Sequence, residues 1–180
     1  MTELVDVVDS NDVAIGKKTK EEAHAHGLPH RASCVFVFYK GKLLVQRRSL
    51  EKNGDLDPSA SGHVGAGESY EAAAERELFE ELGIRALPIY ISKEWAEHAR
   101  PGKTKYKHWY ALFETEITDE QYADIKISSR EVAELIPMTL EEAAERVRMY
   151  RNEFSGAFVL MLSLYARIKD INLGYLPLDD

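Results

Sequence analysis

The sequence predicts a protein of the α/β class, and two observations carry that prediction. Runs dense in β-branched and aromatic residues, such as Ser33–Tyr39 and Tyr106–Glu116, read as strands. Interleaved with them are segments with apolar residues at helical spacing, Ala74–Leu78–Leu82 and Phe158–Leu162–Tyr165–Ile168. The chain has 180 residues, 44% hydrophobic and 30% charged, enough for one domain with a sizeable core. No repeat, low-complexity stretch or linker divides it, so the expectation is a single domain over residues 1–180.

Taken in order, residues 3–15 give two short apolar runs around Asp9-Ser10-Asn11-Asp12, a hairpin signal. Thr19-Lys20-Glu21-Glu22 is a capping box that starts a short helical turn ending by Gly27. His24, His26 and His30 follow, at a spacing that suits either metal ligands or an exposed polar loop. Ser33–Tyr39 reads as a central strand, Lys40-Gly41-Lys42 as a turn and Leu43–Gln46 as the return strand. Cys34 then falls in the core. Arg47 and Arg48 follow that strand, either as bidentate phosphate ligands or as surface partners of Glu51 or Asp57. Residues 52–58 form a turn-rich loop.

After residue 84, Leu87–Trp95 and Tyr106–Glu116 read as strands joined by a basic loop, His98–Lys105. Tyr106, His108, Trp109 and Tyr110 offer aromatic faces either for stacking a base or for filling a sheet. Thr118–Gln121 caps a short helix over about 119–124. Ser128 and Glu131 have capping-box spacing. Thr139–Glu142 caps a helix to about Asn152, and Ser155–Asn172 reads as a final helix, so C-terminal helices occupy about 140–172.

Net charge is −8, which argues against partners bound through basic surfaces, such as nucleic acid or an anionic membrane. The single cysteine, Cys34, permits no intrachain disulfide and points to a reducing, cytoplasmic compartment. Residues 1–15 carry four acids and no signal-peptide core, and the longest apolar run, Ala157–Ala166, is too short to span a bilayer.

The most informative stretch is Gly62–Ile84. It holds six glutamates and one basic residue, Arg76. From about Ser69 to Leu82 it reads as a helix, with Gly83 as its stop. Glu77, Glu80 and Glu81 stand at i, i+3 and i+4 and share a face. A solvated acidic face normally interleaves Lys or Arg at i+4; clustered oxygen donors without such partners suit a hard cation such as Mg²⁺. Gly62, Gly65 and Gly67 form a tight loop before a helix N-terminus, a setting that favours anions. Together these features suggest a metal-bound, phosphate-bearing ligand.

The segment resembles the Nudix box. Gly62, Glu68, Arg76, Glu77, Leu78, Glu80, Glu81, Gly83 and Ile84 match its nine fixed positions. The resemblance implies an α/β/α sandwich with a mixed sheet between helices. It also implies Mg²⁺-dependent hydrolysis (with Mn²⁺ as substitute) of a nucleoside diphosphate derivative or similar small-molecule diphosphate. By the same resemblance Glu77, Glu80 and Glu81 hold the metal, with a backbone carbonyl at Ser61 or Gly62. Arg76 pairs with Glu68 or Glu80 to fix the helix and loop. Arg47 and Arg48 lie near the diphosphate. The general base is Glu77, Glu80 or Glu131, and Glu131 and Glu134 are both candidates to complete the metal site or to act as base. A homodimer is left open.

His30-Arg31-Ala32-Ser33, Arg47-Arg48 and Ser61-Gly62-His63 also resemble isopentenyl-diphosphate isomerase, which shares this fold. That enzyme uses a cysteine before the Gly-His pair and acidic metal ligands on a later strand. Here Ser61 takes the cysteine's place, and Glu114 and Glu116 stand only at the strand's far end. His30 and His63 are then relics of that branch or ligands of a further metal. A third reading is a nucleotide-sensing domain without turnover, although no box carboxylate is replaced.

Overall fold

A computed structural model describes residues 3–98 and 106–178. The chain opens with β1 (Leu4–Val8) and β2 (Ala14–Thr19), an antiparallel hairpin that forms a small sheet of its own. The expected hairpin is present, but its second strand runs to Thr19 rather than stopping at residue 15. Asp12 sits in the turn at φ +64 and gathers Arg31 Nε (2.6 Å), the Tyr70 hydroxyl (3.1 Å) and Lys93 Nζ. A buried acid cannot stay ionised without such donors, and here they tie the hairpin to the main sheet.

The short helix α1 (Lys20–Ala25) follows, with the expected Thr19–Glu22 capping box. Then come β3 (His30–Tyr39), β4 (Lys42–Arg48), β5 (Leu56–Asp57), β6 (Ala60–His63), α2 (Tyr70–Leu82), β7 (Ile89–His98) and β8 (Tyr106–Glu116). The chain closes with α3 (Asp119–Ala123), β9 (Val132–Met138), α4 (Leu140–Met149) and α5 (Gly156–Ile168). The main sheet is mixed, in the order β5-β4-β3-β8-β7, with β6 on β3 and β9 on β4. β3 is central and runs parallel to β8 from His30↔His108 to Phe38↔Glu116.

Period-two alternation along β3 fills both faces. Val35 and Val37 pack with Leu44, Ala111 and Phe113 against Ala74, Leu78 and Leu82 of α2. Cys34 and Phe36 pack with Val45, Tyr110 and Leu112 against α4 and α5, through Val147, Phe158 and Leu162. The result is the expected α/β/α sandwich. Each fully buried leucine, such as Leu78, contributes about 1.5–3 kcal/mol.

Several expectations change in detail. Residues 52–58 contain β5 as well as turns. α4 stops at Met149 because Tyr150 leaves helical geometry (φ −139), and a 3₁₀ turn covers Arg151–Glu153. α5 stops at Ile168, before left-handed Asp170 (φ +54). Ser128 and Glu131 cap no helix. They form a turn into β9, anchored by Ser128 N–H on Glu81 O (2.8 Å) and by Ser49 N–H on Glu131 O (2.8 Å). Residues 99–105 of the expected basic loop lie outside the described residues.

On one edge of β3, β6 pairs with Ala32–Val35 while β4 pairs only with Phe38 and Tyr39. The sheet therefore forks, and a cavity of about 900 Å³ lies between the branches.

Candidate active site

Two features of α2 build one wall of this cavity. Ser69 caps its start by accepting from Ala72 N–H, and Gly83 ends it in the left-handed region (φ +72), where a glycine is favoured. The 3.6-residue repeat then carries Ala74, Leu78 and Leu82 into the core and turns Glu77 and Glu81 toward β6. Glu77 is 9% and Glu81 6% exposed; Glu80 lies outside them at the rim.

Gly62 is what lets Glu77 in. A Cβ at that position would collide with the Glu77 carboxylate, with Oε2 at 2.7 Å and Oε1 closer still. Glu81 accepts from Ser61 N–H at 3.1 Å. With its amide nitrogen turned inward, buried Gln46 donates to Pro58 O (3.0 Å) and Glu81 Oε2 (3.3 Å).

Arg76 sets the frame. Its Nε and Nη2 donate to the two oxygens of Glu68 at 2.9 and 3.0 Å. Its Nη1 donates to Glu77 (2.6 Å) and reaches Glu80 (3.3 Å), and Nη2 also donates to His63 O (2.9 Å). Glu68 in turn accepts from Gly65 N–H at 2.8 Å. One guanidinium thus fixes the loop, the helix and β6, and Glu68 above all keeps it charged.

The electrostatics fit a cation. Burial pushes the Glu77 carboxyl up from its ordinary range. Burial, with the charge of Glu77 beside it, pushes Glu81 up further. Two carboxylates held this close in a desolvated wall need a positive partner to stay ionised together. Carboxylate oxygens such as these, with Glu80 also lining the cavity, are donors of the class that Mg²⁺ or Mn²⁺ takes.

The opposite wall carries positive charge. Arg48 and Lys52 line the cavity, Lys52 paired with Glu131 at 2.9 Å. Arg47 departs from expectation. Successive strand residues point to opposite faces, so Arg47 turns away from the cavity, to Glu134 (3.0 Å) and Gly54 O (3.2 Å). That pairing also holds Glu134 on the far side of β4.

The floor was not legible in the sequence. Asp57 is buried and accepts from Ser61 Oγ (2.9 Å) and Ser155 Oγ, with Arg48 Nη1 at 3.9 Å. Cys34 is buried beside Ser61 in the β3–β6 register, and burial drives its thiol pKa well up, which makes it a packing residue.

At the inner end of the cavity His24, His30, His63 and His108 converge. The open question about the histidine patch therefore divides. His24 and His30 join a cluster, whereas His26 Nδ1 pairs with Glu22 O at 2.9 Å and stays out of it. Burial lowers the pKa of all three of His24, His30 and His63, that of His30 to about 4. Of the aromatic residues on β8, Tyr110 lines the cavity and His108 belongs to the cluster, while Trp109 packs against Trp95 on the other face.

The fold, the glycine-gated carboxylate wall and its Arg76 frame define a class of protein, and comparison with known proteins gives the same class. Residues 28–158 match the model of the NUDIX domain. An uncharacterized Nudix hydrolase of Streptomyces coelicolor is 45% identical over 92 residues, 48% of this chain and 50% of the relative, so the chain matches about half of that relative's length. An isopentenyl-diphosphate Delta-isomerase of Pectobacterium atrosepticum is 31% identical over 175 residues, 94% of this chain and 93% of that one. A crystal structure of a Deinococcus radiodurans protein superposes with a TM-score of 0.68 at 25% identity, covering 92% and 99% of the two chains. The chain belongs to the Nudix family. Hydrolases of that family generally use divalent cations. Among the described residues no helix is long and apolar enough to cross a membrane.

Proposed function

We propose that this chain, as one domain, is a Mg²⁺-dependent hydrolase that splits the diphosphate bond of a nucleoside diphosphate derivative or similar organic diphosphate by attack of water on phosphorus. The observation that carries it is the pair of buried carboxylates, Glu77 and Glu81, packed on the Ser61–Gly62 backbone across a cavity from Arg48 and Lys52. When bound, the cation supplies charge neutralisation at the phosphates and acidifies water. The residues Glu77, Glu80, Glu81 and the Gly62 carbonyl would hold it.

The remaining work falls to side chains. Arg48 and Lys52 bind the phosphate oxygens that the carboxylate wall would otherwise repel. Arg76 and Glu68 keep the wall rigid, so no binding energy is lost in assembling it. Glu77, Glu80 and Glu81 would be committed to the cation, which leaves Glu131 to accept the proton from water. Glu131 stands beside Lys52 and so beside the phosphates.

A second reading, isomerisation of isopentenyl diphosphate, is favoured by the name of the Pectobacterium relative. Against it, Ser61 spends its hydroxyl proton on Asp57, and a serine is a weak proton-transfer group without activation.

The test is product release from a panel of nucleoside diphosphate sugars, dinucleoside polyphosphates, nucleoside triphosphates and isoprenoid diphosphates, with Mg²⁺ or Mn²⁺. Cation-dependent cleavage that Glu80→Gln/Glu81→Gln lowers by about 10²-fold or more supports hydrolysis, since the cation supplies several kcal/mol. Cleavage that survives the double variant contradicts the site.

A further inference from the structure

The floor of the cavity is made of hydrogen-bond acceptors, and the hydrolysis proposed above gives it no part. Asp57 stands at its centre, buried at the end of the two-residue strand β5. One of its carboxylate oxygens accepts from Ser61 Oγ at 2.9 Å and the other from Ser155 Oγ. A hydroxyl has one proton to donate, so both serines give theirs to Asp57. Ser155 Oγ also accepts from Phe158 N–H at 3.0 Å as the N-cap of α5. Asp57, Ser61 and Ser155 all line the cavity, and what they turn to it is lone pairs. A carboxylate has about four acceptor positions, and the serines take two of those on Asp57.

Arg48 is the cation beside this floor. Its Nη1 lies 3.9 Å from Asp57 Oδ2, beyond hydrogen-bond range. A phosphate held by Arg48 therefore sets the group esterified to it next to Asp57. A second phosphate cannot take that place, because its oxygens accept as Asp57 does and carry the same charge. An alkyl group would cover the carboxylate and offer it no donor, which is unfavourable for a buried charge. A base has no ring to stack on: imidazoles aside, Tyr110 is the single aromatic side chain lining the cavity among the described residues, and it is itself buried. The group that fits is neutral and rich in O–H donors. Gly156 and Ala157, both small, follow Ser155 along the cavity wall and leave room for it.

We propose that Asp57, held by Ser61 and Ser155, is the residue that selects the organic half of the substrate, and that this half is a sugar or similar polyol with a hydroxyl beside the diphosphate. The inference rests on Arg48 holding phosphate, as in the function proposed above, and not on hydrolysis itself. Asp57 is a specificity-determining residue: it meets a hydroxyl that takes no part in the reaction. The two serines fix its oxygens, so the substrate hydroxyl finds a carboxylate already in place. A substrate without that hydroxyl leaves the buried carboxylate short of a donor. Sites built in this way reject a deoxy analogue far more strongly than an apolar pocket rejects a missing methylene.

The test measures binding to the full chain, by calorimetry with Mg²⁺ present, of diphosphate esters whose bridging oxygen is replaced by methylene so that they cannot be cleaved. Three esters are compared: that of a hexose, that of its deoxy analogue lacking the hydroxyl beside the diphosphate, and that of a branched five-carbon alcohol. The wild type should bind the hexose ester about 10-fold or more tighter than either of the others, the equivalent of one hydrogen bond to a charged group. Asp57→Asn keeps the size of the side chain and removes its charge. It should lose about 10-fold in affinity for the hexose ester and none for the alkyl ester. Equal binding of the hexose and deoxy esters by the wild type overturns the inference, and that comparison stands even if Asp57→Asn does not fold. A preference that Asp57→Asn retains in full also overturns it, as does failure of all three esters to bind. A preference for the hexose ester in a chain that cleaves no hexose diphosphate upholds the subsite and contradicts the hydrolysis alone.

Discussion

The carboxylate of Glu77 occupies the space that a side chain on residue 62 would fill: a Cβ on Gly62 would stand 2.7 Å from Glu77 Oε2 and nearer still to Oε1. The glycine at the mouth of the box is therefore needed for close approach, because its φ requires no special residue there.

Gly62→Ala should fold, since residue 62 lies at the end of short β6 and Glu77 can swing outward. The cost appears in catalysis. A displacement of about 1 Å in a positioned group lowers turnover by about 10²-fold. Steady-state kinetics, with circular dichroism as the control for folding, checks this.

Glu81→Gln should stabilise the cation-free chain while it removes activity. Burial, with Glu77 alongside, raises the Glu81 pKa above its ordinary 4.5. The folded state then penalises the charged form, so stability is lost as pH rises from the unfolded pKa through the folded one. In chelator at neutral pH the variant should gain about 0.5–2 kcal/mol in urea unfolding, and the gain should vanish below about pH 4.

Arg48 and Arg47 are adjacent in sequence and separated in role. Arg48→Ala removes a cation from the cavity wall and should lower kcat/KM by about 10-fold or more, the equivalent of one charge-assisted hydrogen bond. Arg47→Ala removes a half-exposed pair with Glu134 and should change kcat/KM little, with at most about 1 kcal/mol lost in stability. Parallel kinetics and denaturation on the two variants separate them.

Asp12→Asn tests how the hairpin is attached. Burial alone would raise the Asp12 pKa, but the donors Lys93 and Arg31 more than offset it, and the pKa falls below its usual 3.8. The pairing therefore stabilises the fold above the unfolded pKa, and that stability is lost as pH falls through the folded one. The variant should be less stable than wild type by about 2 kcal/mol at neutral pH. Below about pH 3 the two should converge in urea titrations.

Much of this was legible in the sequence, because the box is local. Glu77, Glu80, Glu81 and Arg76 lie within two turns of one helix, and the 3.6-residue repeat alone places them on one side of it. Capping boxes at Thr19, Thr118 and Thr139 gave helix starts that the structure keeps. What stayed hidden depends on register between distant strands. His108 meets His30 only because β8 runs parallel to β3 at a particular offset. Asp57 lies in a two-residue strand too short to show any period, and its partner Ser155 is 98 residues away. Arg47 and Arg48 read as a pair because spacing does not say which of two neighbours faces the cavity.

The most direct measurement of the central claim is cleavage of an active diphosphate in heavy-oxygen water, with Mg²⁺ present, followed by mass spectrometry of both products. Water attack at phosphorus predicts heavy oxygen in one product phosphate, and no cleavage when Glu77→Gln replaces the wild type. Products without heavy oxygen, or solvent hydrogen appearing in the carbon chain of isopentenyl diphosphate with the diphosphate intact, would contradict it.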